Sequence, residues 1–410
     1  MISGKKRKST EIVLFALAAA VMLAACGKDG KGENGGADLL EELAEEAAGE
    51  NFQETEGSME DSPEQGNDMA AASGNELEED AAAEEIRERF GEDCISEQTF
   101  AVSLSEYDGE VWFVPFAPSA QHPQLRMQVM KGGEVLTEIA PYVPERLSGE
   151  TFSSLDAVSF YDINFDGHTD IVLIETYGST SFAAVYYGFA EDDGYGAVFS
   201  LREELSDNIS AQASEVSISG IRGFLTKGKK NGEFSDYREA YEAVGTLCSL
   251  EGMEGYDLIY FDDDGTPELA AGTPGYYVSL YTYEDGTVYT MMDRWAYGAM
   301  GNAGYEYCPG KNSLRNYNSD YAGAIMYTTY MKAGERHSMD TVAEIKTYNF
   351  DDVNGNGVPD PEEEGSMGTY SVSYIGGREV PEEECAAFAA GEYVYIEPSM
   401  SLEQLRAQLK

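Results

Sequence analysis

The chain has 410 residues, with 76 Asp and Glu against 26 Lys and Arg, so its formal net charge at pH 7 is −50. A protein of this charge repels phosphate backbones, so no nucleic acid is expected as a partner. The same charge attracts cations, although a run of acidic residues more often forms only a solvated surface.

Residues 1–25 have the organisation of an export signal. Basic residues at positions 5–8 precede an apolar run from Ile12 to Leu23, which is too short to span a bilayer comfortably. Residues 23–26 read Leu-Ala-Ala-Cys and resemble a bacterial lipobox. The resemblance implies cleavage before Cys26, a lipid such as palmitate on its thiol, and a lipoprotein anchored at the extracytoplasmic face of the bacterial cell membrane. The alternative is an uncleaved membrane anchor or a buried N-terminal helix.

Residues 26–80 are predicted to be a disordered acidic tether. From Gly27 to Asp93 the chain contains 23 Asp and Glu against 4 Lys and Arg, with very few aromatic residues. Such a segment cannot bury enough apolar surface to offset the entropy cost of ordering, and its like charges extend it. The stretch from Ala81 to Phe90 is a better helix candidate, which we expect to dock on the folded part.

Residues 81–228 are predicted to form a β-rich domain. Apolar or alternating runs are separated in several places by Asp-Gly or Gly-Gly pairs, as hairpins require. Residues 217–225 are expected to close the domain as a helix, and residues 227–232 to be a linker. The predicted strands are Thr99–Leu104, Val111–Phe116, Arg126–Met130, Val135–Ala140, Ala157–Ile163, Ile171–Thr176, Phe182–Phe189 and Val198–Leu201.

Residues 233–410 are predicted to form a second domain, of the α+β class. Ser235 or Asp236 can cap its first helix, and Gly252 ends that helix. A helix is expected between Pro381 and Gly391, and Ser401 with Gln404 predicts a capping box for the last one. Strands are predicted at residues 256–261, 269–271, 276–283 and 288–292. The predicted fold class is therefore α+β, mostly antiparallel β, in two domains.

Residues 352–363 carry the spacing with the most specific chemical meaning. Oxygen-bearing side chains fall at loop positions 1, 3, 5, 9 and 12, Gly stands at position 6, and position 7 supplies a backbone carbonyl. This is the ligand order of a calcium loop. The segment resembles EF-hand and thrombospondin type 3 loops. The predicted ligands are Asp352, Asn354, Asn356, Val358, Asp360 and Glu363.

Two earlier segments follow the same pattern. Residues 162–170 resemble the calcium loops of FG-GAP and VCBS repeats, in which the loop precedes a strand of a β-propeller blade. The resemblance implies ligands at Asp162, Asn164, Asp166 and Asp170, and position 7 adds the carbonyl of His168. Residues 260–268 lack an acid at position 1 and are predicted to be a degenerate copy. For each segment the alternative is an Asx-rich turn held by hydrogen bonds from backbone to side chain.

Residues 276–332 are rich in tyrosine. Tyrosines that alternate along a strand more often form core or cross-strand pairs than a ligand surface. The part from Trp295 to Asp320 is also rich in Gly and Asn and is expected to be loop-like. It offers a candidate ligand face for a sugar or peptide, made of Trp295, Tyr297, Tyr305 and Arg315. The C-terminal half also resembles uncharacterised lipoproteins of Gram-positive bacteria.

Cysteine usage is consistent with either of two states. Outside the cytoplasm, Cys94, Cys248, Cys308 and Cys385 can form two disulfides. The alternative is four buried free thiols.

Evidence for catalysis is weak. The three histidines, His122, His168 and His337, lie outside any HExxH motif, and neither GxSxG nor a phosphate-binding loop occurs. We therefore predict a non-enzymatic, calcium-stabilised lipoprotein that binds a glycan or protein ligand or serves as a scaffold. The alternative is an extracytoplasmic hydrolase that attacks glycan or cell-wall polymers through paired carboxylates such as Asp262 and Asp264.

Overall fold

The computed structural model describes residues 76–410 except 106, 108, 191–196, 298–303, 362 and 364–367. The predicted signal peptide, Cys26 and the tether up to residue 75 lie outside the described residues. In the described part, 19 strands form four sheets, which we name A to D, and neighbouring strands in every sheet are antiparallel. The prediction of a mostly antiparallel β structure is confirmed.

Sheets A, B and C are four-stranded meanders whose strands follow chain order. Sheet A contains β1 (Phe100–Ser103), β2 (Glu110–Phe116), β3 (Arg126–Lys131) and β4 (Glu134–Ile139). Sheet B contains β5 (Phe152–Tyr161), β6 (Asp170–Tyr177), β7 (Thr180–Ala190) and β8 (Ala197–Leu201). Sheet C contains β9 (Gly255–Ile259), β10 (Glu268–Thr273), β11 (Tyr277–Glu284) and β12 (Thr287–Ala296).

Sheet D has seven strands, in the order β18-β17-β16-β15-β14-β13-β19. They are β13 (Tyr305–Tyr307), β14 (Leu314–Asp320), β15 (Ile325–Ala333), β16 (Met339–Tyr348), β17 (Tyr370–Ile375), β18 (Arg378–Val380) and β19 (Val394–Tyr395). The prediction of a loop from Trp295 to Asp320 is wrong for β13 and β14. Polar residues face solvent from β14, and pairing with β15 along its whole length overrides the low strand propensity of Asn.

Six α-helices and three short 3-10 helices occur in the described part of the chain. The α-helices are α1 (Glu76–Phe90), α2 (Glu203–Gln212), α3 (Ile218–Thr226), α4 (Tyr237–Leu250), α5 (Glu382–Ala389) and α6 (Leu402–Gln408). Helix α1 starts at Glu76 rather than at Ala81, and the Phe90 ring at its end lies 5.3 Å from the ring of Trp112 in sheet A. None of the described helices has the length and apolar character needed to cross a membrane.

Helix starts follow the predicted capping chemistry. Asp236 accepts hydrogen bonds from the backbone N–H groups of Arg238 and Glu239 at the start of α4. Ser401 and Gln404 form the reciprocal capping box of α6. These bonds satisfy N–H groups that have no partner within the helix.

Strand β6 contributes side chains to two hydrophobic cores, one on each face of sheet B. Its side chains alternate between the faces, so Ile171 and Leu173 pack toward sheet A, whereas Val172 and Ile174 pack toward the helices. All four are at most 3% exposed. A continuous apolar run is expected for a strand that is covered on both faces.

Helices α2, α3, α4 and α6 share one hydrophobic cluster with the inner faces of sheets B and C. This cluster includes Val172 and Ile221 before the predicted linker, and Val244 and Leu269 after it. The predicted linker itself is bonded to sheet C, since the Asn231 side chain exchanges two hydrogen bonds with the backbone of Val288. The predicted division into two domains at this position is not confirmed.

Sheets C and D share a further core. Phe261, Leu280 and Met292 of the sheet C part pack with Leu314 and Met331 of sheet D. Helix α5 covers another part of sheet D, where Cys385 packs with Tyr330 and Ala343. These two clusters attach sheet D to sheet C and to helix α5.

Candidate metal-binding site

The three segments with calcium-loop spacing occupy equivalent places in the fold. We name residues 162–170 loop 1, residues 260–268 loop 2 and residues 352–363 loop 3. Loop 1 connects β5 to β6, loop 2 connects β9 to β10, and loop 3 lies between β16 and β17. Each therefore stands at the junction of two antiparallel neighbours, where the chain must reverse direction.

One hydrogen bond recurs in all three loops. The backbone N–H of the second loop residue donates to the acid that ends the loop. The donor–acceptor distances are 2.8 Å from Ile163 to Asp170, 2.8 Å from Phe261 to Glu268, and 2.7 Å from Val353 to Glu363. This bond closes each loop.

Loop 1 is held by further bonds to its acids. Asp162 accepts from the N–H groups of Asp166 and Gly167, each at 3.1 Å, and Asp166 accepts from the N–H of His168 at 2.8 Å. Burial, reinforced by the charge of Asp166, raises the pKa of Asp162 to about 6. Burial also raises the pKa of Asp170 well above its ordinary value, although Asp170 accepts a second N–H bond from Gly188.

Two buried phenols lie near loop 1. The hydroxyl oxygens of Tyr161 and Tyr187 are buried and have no hydrogen-bond partner among the described residues. Burial raises the pKa of each phenol, and the Asp170 charge raises it further. Buried polar atoms of this kind normally bond to water or to an ion.

Loop 2 contains the tightest acidic group. The ligand atoms of Asp262, Asp264 and Glu268 all lie within 4.8 Å of one another, which holds for no other group of three Asp, Glu, His or Cys in the described residues. Burial, reinforced by the charges of Asp262 and Asp264, raises the pKa of Glu268 to about 8. A bound cation would relieve this repulsion. The group can therefore hold a metal ion.

Loop 3 is closed mainly by its own side chains. Asp352 accepts N–H bonds from Gly355, Asn356 and Gly357, and the side-chain amides of Asn354 and Asn356 donate to Asp360. These are the bonds of an Asx-rich turn, the alternative considered for this segment. The acids of loop 3 form no group of three within 4.8 Å among the described residues.

The structure thus changes which loop is the strongest candidate for a metal site. Loop 2, expected to be a degenerate copy, brings its acids together, whereas those of loops 1 and 3 form no group of three within 4.8 Å. The signal for Asp262, Asp264 and Glu268 was present in the sequence. Glu268 is the ninth residue of loop 2, as Asp170 is the ninth residue of loop 1. Each is also the first residue of the second strand of its sheet.

The four residues of the predicted ligand face do not form one surface. Tyr297 and Tyr305 are each only 9% exposed and belong, with the adjacent Trp295, to the core between sheets C and D. Tyr305 pairs with Asn316, so Arg315 points to the opposite face of sheet D. There Arg315 forms a 2.9 Å ion pair with Glu306. Strand alternation therefore separates Arg315 from the three aromatic residues.

All four described cysteines are free and buried. Burial raises the pKa of Cys248 to about 12, which favours an unreactive thiol. Of the two alternatives open for the cysteines, the structure has the free thiols.

We compared the chain with known protein families and with curated proteins. No protein-family model matches the chain, and no curated protein matches it.

Proposed function

We propose that this protein is a membrane-anchored, extracytoplasmic lipoprotein that is non-enzymatic, stabilised by calcium, and used as a surface binding or scaffold protein. The observation that carries the proposal is the convergence of Asp262, Asp264 and Glu268 at a strand junction. Two further loops support it, because they share oxygen side chains at positions 3 and 5, Gly at position 6 and the closing hydrogen bond.

Calcium is proposed because the donors are all oxygen atoms. Calcium takes six to eight oxygen ligands from carboxylates, amides and backbone carbonyls. In loop 2 they would be Asp262, Asp264, Glu268 and the carbonyl of Thr266. Loop 1 would use Asp162, Asn164, Asp166, Asp170 and the carbonyl of His168, and loop 3 would use Asp352, Asn354, Asn356, Asp360, Glu363 and the carbonyl of Val358. The ion would neutralise the acids and fix each loop.

The test is thermal unfolding in calcium and in chelator. Calcium binds only the native loops, so a concentration about 100-fold above Kd should add roughly 2.7 kcal/mol and raise Tm by several degrees. The double variant Asp262→Asn and Asp264→Asn should lose part of this shift. Asp263→Asn, in the same loop but outside the acidic group, is the matched control. Equal Tm values in both buffers, without calcium heat in calorimetry, would refute the calcium proposal.

The membrane anchor is proposed on the sequence at residues 23–26. Cys26→Ser should abolish lipidation and shift the protein from the membrane fraction to the soluble extracytoplasmic fraction. Intact-mass measurement of the detergent-extracted protein checks the acyl chains directly. A wild-type protein without added lipid mass would contradict the proposal.

We propose a non-enzymatic role rather than the alternative, which is a glycan or cell-wall hydrolase. A hydrolytic pair needs one carboxyl with a raised pKa that can reach the substrate. Burial raises the pKa of Glu268 and of Asp170, but Glu268 is only 1% exposed and Asp170 is fully buried. Burial also raises the pKa of Asp262, which is half-buried and belongs to the proposed calcium group. Screening chromogenic glycosides and muropeptides tests this, and turnover that Asp264→Asn abolishes would favour the hydrolase.

The finer fold class is also a proposal. We propose the α+β class because α2, α3, α4 and α6 form a helical layer between antiparallel sheets B and C. Circular dichroism of the purified chain checks the proportion of helix and strand.

A further inference from the structure

We infer that loops 1 and 2 are metal-dependent joints, each of which couples its acids to the next sheet through a single peptide group. The inference rests on the proposed calcium binding and adds what binding regulates. Occupancy of loop 1 would fix sheet B on sheet C, and occupancy of loop 2 would fix sheet C on sheet D.

In loop 1 the coupling group is the peptide between Phe165 and Asp166. Its N–H donates to Asp162 at 3.1 Å. Its C=O, on Phe165, accepts two hydrogen bonds from Thr290 in β12 of sheet C, from the backbone N–H at 3.1 Å and from Oγ1 at 2.8 Å. The Phe165 ring is buried in the core that sheets B and C share. One peptide group therefore connects a candidate ligand to the neighbouring sheet.

In loop 2 the coupling group is the peptide between Tyr260 and Phe261. Its N–H donates to Glu268 at 2.8 Å. Its C=O, on Tyr260, accepts from the N–H of Gly310 at 2.9 Å, in the turn between β13 and β14 of sheet D. The next carbonyl, of Phe261, accepts from Asn312 at 2.9 Å. Asn312 in turn exchanges two side-chain hydrogen bonds with the backbone of Ala333 in β15.

The coupling peptide lies at a different position in each loop, but the physical basis of the coupling is the same. A peptide group is planar and rigid, so its N–H and C=O cannot be reoriented independently. An ion that fixes the acid on the N–H side also fixes the acceptor on the C=O side. The inter-sheet bonds should then open less often when the loop is occupied.

Hydrogen exchange of the full chain, in calcium and in chelator, tests the inference. Calcium should slow exchange of the Thr290 and Gly310 amides by at least about fivefold. Asp162→Asn with Asp166→Asn should remove the effect at Thr290 only. Asp262→Asn with Asp264→Asn should remove it at Gly310 only. Normal calcium binding with slowing confined to the loops themselves would overturn the inference while leaving the proposed function intact.

The coupling between the inter-sheet bond and calcium binding must act in both directions, which gives a second test. Thr290→Val removes the Oγ1 donor but keeps the shape, so calcium affinity at loop 1 should fall on the order of fivefold. Calorimetry in the Asp262→Asn and Asp264→Asn background isolates that loop from loop 2, and Thr287→Val on the same strand is the control. Unchanged affinity in the Thr290 variant would overturn the inference. Absence of calcium heat in the wild-type protein would refute the proposed function and the joint together.

Discussion

At the scale of single residues, the carboxyl groups of Glu175 and Glu251 stand apart from the loops. Glu175 on β6 is fully buried, and neither of its carboxyl oxygens has a hydrogen-bond partner among the described residues. Burial raises its pKa to about 8. Glu251, directly after α4, instead forms ion pairs with Arg202 and Arg294. The distances from its Oε1 to the two Nη2 atoms are 2.8 and 2.7 Å. Burial without a partner favours the neutral form of Glu175, whereas Glu251 faces two guanidinium groups.

Glu175 should make stability fall as pH rises. Its ordinary pKa is 4.5, so between about pH 4.5 and 8 the unfolded chain releases a proton that the native chain keeps. The free energy of unfolding should therefore drop by roughly 1.4 kcal/mol per pH unit in that window, relative to Glu175→Gln. Urea unfolding from pH 5 to 8 measures this, with the exposed Glu134→Gln as control. Parallel pH profiles of wild type and Glu175→Gln would contradict the prediction.

Removal of the Glu251 charge should be costly. Glu251→Gln leaves two guanidinium groups facing a neutral amide in a site where the Glu251 side chain is only 6% exposed. We expect a loss of about 3–5 kcal/mol in unfolding free energy. Glu242→Gln is the control, because its ion pair with Lys227 is exposed and should contribute less than about 1 kcal/mol. Chemical denaturation compares the two, and equal losses would argue against a special role of burial.

At the scale of elements, sheets B and C repeat one design. Each is a four-stranded antiparallel meander with an acidic loop between its first and second strands. In each, the acid that closes the loop is the first residue of the second strand, Asp170 or Glu268. The loops differ at position 1, where loop 1 has Asp162 and loop 2 has Tyr260. Local spacing therefore predicts the loop but not which acids converge.

The start of helix α4 offers a test at this scale. Asp236 accepts from two backbone N–H groups at 2.9 and 3.0 Å. Asp236→Ala should lower the unfolding free energy by about 1 kcal/mol, because both N–H groups lose their acceptor. Asp236→Asn keeps a side-chain oxygen and should stay close to wild type. Thermal unfolding measures both variants, and similar losses in both would point to charge rather than capping.

At the scale of the whole described unit, the core crosses the boundary predicted from the sequence. Cutting the chain at residues 229–232 would separate α4 and sheet C from sheet B and expose buried side chains such as Val172 and Val244. The hydrophobic contribution of that burial would be lost from both parts. The linker signal at residues 227–232 marks a turn rather than an independent hinge, since Asn231 is bonded to Val288.

Neither half should therefore fold alone. Fragments 81–228 and 233–410, expressed separately, should lack cooperative thermal unfolding, whereas residues 81–410 should unfold cooperatively. Circular dichroism melting and amide proton dispersion in NMR spectra check this. A fragment that melts cooperatively would restore the two-domain prediction.

The sequence by itself determined the features that depend on neighbours along the chain. Strand alternation, hairpin turns, helix caps and the spacing of oxygen side chains in the three loops are local, because each is set within about a dozen residues. Only the tertiary structure decided which acids meet, that Tyr297 and Tyr305 are buried, and that one core joins sheets B and C. These outcomes depend on contacts between residues far apart in the chain, and side chains with identical local patterns are buried or exposed according to what packs against them.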